Sequence, residues 1–333
     1  MRHFSIVGLL VFLLTALTYA GLNAIGLMPV QASAQAIPID WMWNWQVLAI
    51  SFFFSLIMVP LVYSLVVFRK KPGDDTDAEH IEGHTNLEIA WTVFPLIVVV
   101  VFAYLGAFSL GEIRKVDPNA MVINVTARTF SWSFEYPEYG IVSDKLYLPY
   151  NRQVLLKMQS EDVIHSFWVP EFRLKQDVVP GRITEYRITP YLVGEYKVRC
   201  AEICGANHSY MEANVIVDDV VTFDAWVAEQ QALAAVKTPE GLGKQLATAN
   251  GCVGCHSVTS SPLPSAPTWF GLFGSQVELA DGTTVTADEA FIKESILDPK
   301  AKEVKGYSPT IMPVFALSEA DIENLTAYIK SLK

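Results

Sequence analysis

The four cysteines of the 333-residue chain fall in two tight pairs, Cys200/Cys204 and Cys252/Cys255. The second pair stands in Cys252-Val253-Gly254-Cys255-His256. Two thiols at this spacing can form thioethers to both vinyl groups of a haem, and the adjacent histidine then falls on the iron. A structural zinc site needs four ligands, and after residue 237 these three are all the Cys and His the sequence offers. A thioredoxin-like redox pair needs a βαβ setting, which the flanking residues do not supply. Met312, the one methionine after His256, lies in Ser308-Pro309-Thr310-Ile311-Met312-Pro313, a segment expected to be extended and rigid. By elimination it is the sixth ligand, and His/Met ligation raises the haem potential as electron transfer requires.

The first pair opens a longer run, Cys200-Ala201-Glu202-Ile203-Cys204-Gly205-Ala206-Asn207-His208-Ser209-Tyr210-Met211. Two thiolates, an imidazole and a thioether share one loop, and a further histidine stands upstream in His165-Ser166-Phe167-Trp168-Val169-Pro170. Thiolate with thioether favours copper over harder metals. Two other readings remain open on residue chemistry: a Cys2His2 zinc site that omits Met211, and a Cys200–Cys204 disulfide that leaves His208 and Met211 idle.

These motifs need elements to hold them. Three apolar stretches come first: Phe4 to Met28, Trp41 to Phe68, and Leu87 to Leu110 with Glu88 at its start. Each is long enough to cross a hydrocarbon layer. The first follows a short basic head and precedes Ala32-Ser33-Ala34-Gln35-Ala36, the pattern of a cleaved signal peptide, with a retained membrane segment as the alternative. Residues 1–36 are therefore read as signal peptide or N-terminal membrane segment, and 37–115 as a transmembrane helix hairpin. Arg69, Lys70 and Lys71 place the hairpin's loop in the cytoplasm and everything after Arg114 outside.

Residues 116–222 alternate as strands do, at Met121–Ala127, Gln153–Met158 and Thr184–Thr189, punctuated by Pro and Gly, and predict an all-β sandwich or Greek-key barrel. Residues 223–237 predict a helical linker. Residues 238–333 predict an all-α domain, opening at Thr238-Pro239 and closing with a helix from Ser318 that carries Ile322, Leu325 and Ile329 on one stripe. The formal charge of −11 argues against nucleic acid, whose backbone calls for clustered Lys and Arg.

The motifs resemble two known families. C-x-E-x-C-x-x-x-H-x-x-M after H-S-F-W-x-P is similar to the dinuclear copper (CuA) signature of cytochrome c oxidase subunit II, and the resemblance extends over residues 41–222 through Asn86–Thr92 and Lys175–Arg182. It implies a cupredoxin fold in which Cys200 and Cys204 bridge two coppers, His165 and His208 bind one each, and Met211 and the Glu202 carbonyl complete the set. It also implies that the Glu202 carboxylate faces a magnesium ion at the interface with subunit I. Glu88 resembles the glutamate at the mouth of a proton path into subunit I. The run Thr129-Phe130-Ser131-Trp132-Ser133-Phe134-Glu135-Tyr136 resembles the family's electron-path aromatics, but Phe130 stands where a tryptophan is usual, which puts in doubt the docking of a separate cytochrome c there.

Residues 238–333 resemble a class I cytochrome c. Ala266-Pro267-Thr268-Trp269-Phe270-Gly271 is similar to its proline loop, so the Pro267 carbonyl is expected to accept the second ring N–H of His256. Together the resemblances imply the electron-accepting subunit of a respiratory haem-copper oxidase. Electrons would pass from a soluble or membrane-bound donor to a covalent haem c, then to CuA, then to subunit I, where O2 is reduced to water coupled to proton translocation. The implied partners are subunit I, other oxidase subunits and the lipid bilayer. The implied place is a bacterial plasma membrane with both redox domains on its outer side.

Other classes fit less well. A CuA-bearing nitrous or nitric oxide reductase component is disfavoured by the hairpin with Glu88 and Trp91 and by the lack of a propeller-length region. A copper carrier has no use for His256 and its haem. Quinol oxidase subunits lack the copper ligands present here.

Overall fold

The computed structural model describes residues 2–74, 76–77, 80–235, 237–308 and 312–333. It divides into two compact units, one of residues up to Gln31 together with Gln35–Lys115, the other of Ala32–Ala34 with Val116–Lys333.

The first unit is helical. α1 (Arg2–Ile25), α2 (Ala36–Val67) and α3 (Thr85–Ile113) are each long and apolar enough to cross a membrane. Such helices satisfy their backbone internally, as a bilayer core demands. α1 lies along α2, with His3 Nδ1 2.7 Å from the Tyr63 hydroxyl. Phe94 of α3 meets Phe52 and Phe53 of α2 at ring-centroid distances of 6.3 and 5.8 Å. α2 begins five residues before the expected start at Trp41. α3 starts with a reciprocal cap: Leu87 N donates to His84 Nδ1 at 3.3 Å, and His84 N donates to Glu88 Oε1 at 3.0 Å. Glu88 is exposed there and serves at least to satisfy an orphan backbone donor.

The second unit holds a β-sandwich and a helical domain. One sheet is ordered β3 (Ile141–Ser143), β2 (Ser131–Tyr136), β1 (Met121–Arg128), β5 (Val154–Ser160), β8 (Thr184–Ile188). The other is ordered β4 (Leu146–Pro149), β10 (Glu212–Asp218), β9 (Gly194–Cys200), β6 (His165–Val169), β7 (Leu174–Val178). Pairing is antiparallel except β1 with β5 and β10 with β4. In β1 the residues alternate strictly, with Met121, Ile123, Val125 and Ala127 buried, because side chains of a strand point to opposite faces.

Two segments outside the strands pack against the sandwich. Ala32-Ser33-Ala34, with the small side chains of a processing site, is laid against the sandwich: Ala32 N donates to Glu171 O, Ser33 Oγ to Phe172 O and Ala34 N to Thr189 O. Ala32 and Ser33 are fully buried, which larger side chains would prevent. The segment expected to link the domains is helical, α4 (Val220–Ala235), but it is no free tether. Phe223, Trp226 and Val227 are buried in the sandwich core, and Trp226 stacks on Tyr147 at 4.2 Å.

The C-terminal domain contains α5 (Pro239–Ala249), a hairpin of β11 (Gln276–Glu278) and β12 (Thr284–Thr286), α6 (Glu289–Leu297) and α7 (Glu319–Ser331). Thr238 caps α5, and Ser318 with Asp321 forms a full capping box on α7. Ile322, Leu325 and Ile329 are buried as the stripe predicts. The three-residue strands of the hairpin are too short to show a period, so no pattern marks them in an otherwise helical domain.

Candidate metal and haem sites

The β-sandwich brings the first motif together by strand pairing. β6 and β9 are antiparallel neighbours with Phe167 opposite Cys200, so His165 at the start of β6 reaches Cys200 at the end of β9. The loop after Cys200 folds back on itself: Cys200 N donates to Met211 O, Ala201 N to Ser166 O and His208 N to Gly205 O. A short 3-10 turn at His208–Tyr210 then aims His208 inward.

All the expected donors converge. Cys200 Sγ lies 3.8 Å from Cys204 Sγ, 3.8 Å from His165 Nδ1 and 3.2 Å from the Glu202 carbonyl oxygen. Cys204 Sγ lies 3.5 Å from His208 Nδ1 and 3.8 Å from Met211 Sδ. Both thiols are free and buried. His165, Cys200 and Cys204 hold their ligating atoms within 4.8 Å of one another. The Glu202 side chain and Ile203 are exposed at the loop tip.

Electrostatics favour a cation here. Burial raises the Cys200 thiol, but hydrogen bonding with His165 and nearby backbone outweighs this and brings it down to about 6. Burial and the Cys200 charge together push Cys204 up to about 12. A soft cation held by both sulfurs would favour both as thiolates. The donor set, with a thioether beside two thiols and two imidazoles, suits copper.

Asp162 belongs to the site although the sequence reading passed it over. Its Oδ1 lies 2.8 Å from His165 Nε2, and its Oδ2 accepts from Thr129 N at 2.6 Å. Burial opposes its ionisation, yet the bonds from Thr129, His165 and Val163 hold the carboxyl at about 2. A carboxylate on the far nitrogen of a ligating histidine fixes the ring and its tautomer. An acid three residues before His165 was the available signal.

Phe130 and Trp132, read as electron-path aromatics, both touch this loop. A methyl group placed on Gly205 would come within 3.0 Å of the Phe130 ring. Trp132 Nε1 approaches Met211 O at 3.5 Å, and its ring centroid lies 6.2 Å from that of His165.

In the C-terminal domain a short 3-10 turn, Cys252–Gly254, follows α5. His256 N donates to Cys252 O at 2.9 Å. His256 Nδ1 lies 2.8 Å from the Pro267 carbonyl, an acceptor only, so Nδ1 carries the proton and Nε2 keeps its lone pair for a metal. Burial lowers the pKa of His256, with the Pro267 carbonyl opposing, and the ring stays neutral as a ligand must. Trp269 stacks on it at 5.0 Å and 20°, a contact hidden inside the proline-loop motif. Cys252, Cys255, His256 and Met312 line one apolar cleft with Leu325 and Ile329. The residues fit a covalent haem. Of the segment expected to present Met312, residues 309–311 lie outside the described residues, and Met312 itself packs on the domain's core.

Comparison with known proteins matches this division of the chain. Residues 18–110 match the family described as cytochrome c oxidase subunit II, transmembrane domain, residues 140–220 its periplasmic domain, and residues 241–333 cytochrome c. A cytochrome c oxidase subunit 2 from Alkalihalophilus pseudofirmus is 34% identical over 300 residues, covering 84% of this chain and 85% of the relative. That from Bacillus sp. PS3 is 31% identical, covering 80% of each. The crystal structure of the periplasmic domain of subunit II from Bradyrhizobium japonicum is 26% identical and covers 36% of this chain and 97% of that one, with a TM-score of 0.33. Membrane helices, sandwich and helical domain thus occur in the order of one known protein type, and the chain belongs to the cytochrome c oxidase subunit II family, with a cytochrome c domain at its C-terminal end.

Proposed function

We propose that the chain is the electron-accepting subunit of a respiratory haem-copper oxidase. Cys252 and Cys255 attach a haem c, with His256 and Met312 as axial ligands and Pro267 orienting His256. His165, Cys200, Glu202 through its carbonyl, Cys204, His208 and Met211 hold a dinuclear copper centre. When bound, each group supplies a one-electron redox site. The donor at the C-terminal domain is a soluble or membrane-bound reductant, and the acceptor is subunit I, which reduces O2 to water and moves protons. The soluble domains lie outside a bacterial plasma membrane, consistent with the basic Arg69-Lys70-Lys71 loop.

The observation that carries this reading is the convergence of four donor atoms, His165 Nδ1, the Glu202 carbonyl oxygen, His208 Nδ1 and Met211 Sδ, on the paired Cys200 and Cys204 sulfurs, each within 3.8 Å of one of them. Metal, haem and EPR analysis of the purified complex should find two coppers and one covalent haem per chain. A single zinc would sink the copper assignment.

The exposed Glu202 carboxylate at the loop tip suits a magnesium ion shared with subunit I. Glu88, at the start of α3, would feed protons toward subunit I. Glu88→Gln should slow O2 reduction by the complex while leaving both redox spectra unchanged; parent turnover would leave Glu88 with its capping role alone. Electrons enter the copper domain through the C-terminal domain, a route favoured by the burial of Phe130 and Ser131, at 5% and 6% exposure, on the run where a separate donor would dock. Stopped-flow reduction of the Met312→Ala complex by a soluble cytochrome c tests this: copper reduced at the parent rate would end the obligatory relay.

A further inference from the structure

The haem-attachment turn does not hang beside the sandwich but rests on it. A Cβ on Gly254 would stand 2.4 Å from Ser131 Cβ, and one on Gly251 would stand 2.2 Å from Ser131 Oγ. Real side chains do not approach so closely, so the backbone of the turn lies flat on Ser131. Gly251 has φ +71 and needs glycine for its conformation alone. Gly254 has no such positive φ. The missing Cβ there is required by the approach itself.

A second contact supports the same placement. α5 ends at Ala249 with Asn250 as its C-cap, where helix carbonyls lack partners and the dipole is negative. Arg128 Nη1 donates to Asn250 O at 2.9 Å, and its guanidinium carbon lies 5.9 Å from the Phe315 ring centroid. Arg128 is in turn paired with Glu161. A cation on the sandwich therefore caps a helix of the C-terminal domain. Between Arg128 and Ser131 lies Phe130. Its carbonyl is 3.5 Å from a Cβ on Gly254, and its ring meets Gly205 beside Cys204. One residue touches both cysteine motifs.

We propose that the β1–β2 turn, Arg128–Ser131, is a built seat on which the haem-attachment turn docks, and that Phe130 couples the two redox domains across it. The proposal rests on the reading of both sites given above. The C-terminal domain is then not a tethered carrier that visits the copper domain. The packed helix α4 agrees, since a linker buried in the sandwich core leaves little reach. For a tethered carrier, linker length would set the effective concentration; for a seated domain, the contact at Ser131 sets the rate.

The test uses the full chain in its complex. Gly254→Ala should lower the docked-to-undocked ratio by roughly tenfold, about 1.4 kcal/mol, as overpacking a close contact does. The haem-to-copper transfer rate after flash photoreduction should fall with it. Adding Ser131→Gly should restore most of the rate, because the atoms met at 2.4 Å are gone. Ser131→Leu, which leaves the haem motif untouched, should slow transfer as Gly254→Ala does. Amide exchange across Arg128–Trp132 should quicken in both slow variants. Parent rates and protection in Gly254→Ala and Ser131→Leu, or no rescue by Ser131→Gly, would overturn the seat. A parent chain lacking covalent haem or a dinuclear copper signal would instead overturn the functional reading, and the exchange measurement would still decide the seat.

Discussion

The copper loop and the haem cleft are built on opposite principles. At the copper site the scaffold comes first. β6 and β9 are paired in a ten-stranded sandwich, the loop is closed by backbone bonds, and every donor already faces its neighbours. At the haem site the cleft is lined by side chains from several turns, and the surrounding core is thin. The fully or nearly buried apolar residues of its main cluster are eight: Ala247, Trp269, Ile292, Ile296, Ile322, Leu325, Tyr328 and Ile329. Beside that cluster, Cys252, Cys255, His256 and Met312 line an apolar cleft whose walls have no side chain between them to cover. The first site is a cage of donors held by paired strands; the second is a shell whose middle a haem would fill.

The largest effect should come from removing that middle. Cys252→Ala with Cys255→Ala should abolish covalent haem and the cooperative melting of the C-terminal domain, leaving the sandwich transition in place; calorimetry with haem staining of denaturing gels checks both. A C-terminal domain that melts as before would erase the contrast. The converse, Cys200→Ser with Cys204→Ser, should abolish the copper signal while moving the sandwich Tm by only a few degrees, on the order of a 1 kcal/mol change. Collapse of the sandwich would show that its cage depends on metal after all.

Smaller changes sharpen the comparison within the copper site. Asp162→Asn should weaken copper binding by roughly 10–100-fold, since the carboxylate that orients His165 is lost; competition with a chelator measures it, and unchanged affinity would make Asp162 a bystander. Met211→Leu should keep both coppers but shift their potential, because a weak thioether tunes a site more than it holds it. Redox titration identical to the parent would remove Met211 from the ligand set.

Much of this was written in residue order. Cys252-Val253-Gly254-Cys255-His256 carries the proposed haem attachment in five consecutive residues, because thioether spacing is local. Cys200 to Met211 is likewise one loop. The alternation at Met121–Ala127 and the capping box at Ser318 follow from strand and helix periods, which neighbours alone enforce. Tertiary structure decided what depends on residues far apart. Only the β6–β9 register brings His165 to Cys200 across 35 positions, and only the turn after β5 sets Asp162 behind it. That α4 is packed rather than free follows from Tyr147 and Tyr136 being there to receive Trp226. Nothing near Gly254 in the sequence tells that Ser131 lies against it. Close packing between distant segments is a property of shape, and a linear pattern records the period of each element without the surface it will meet.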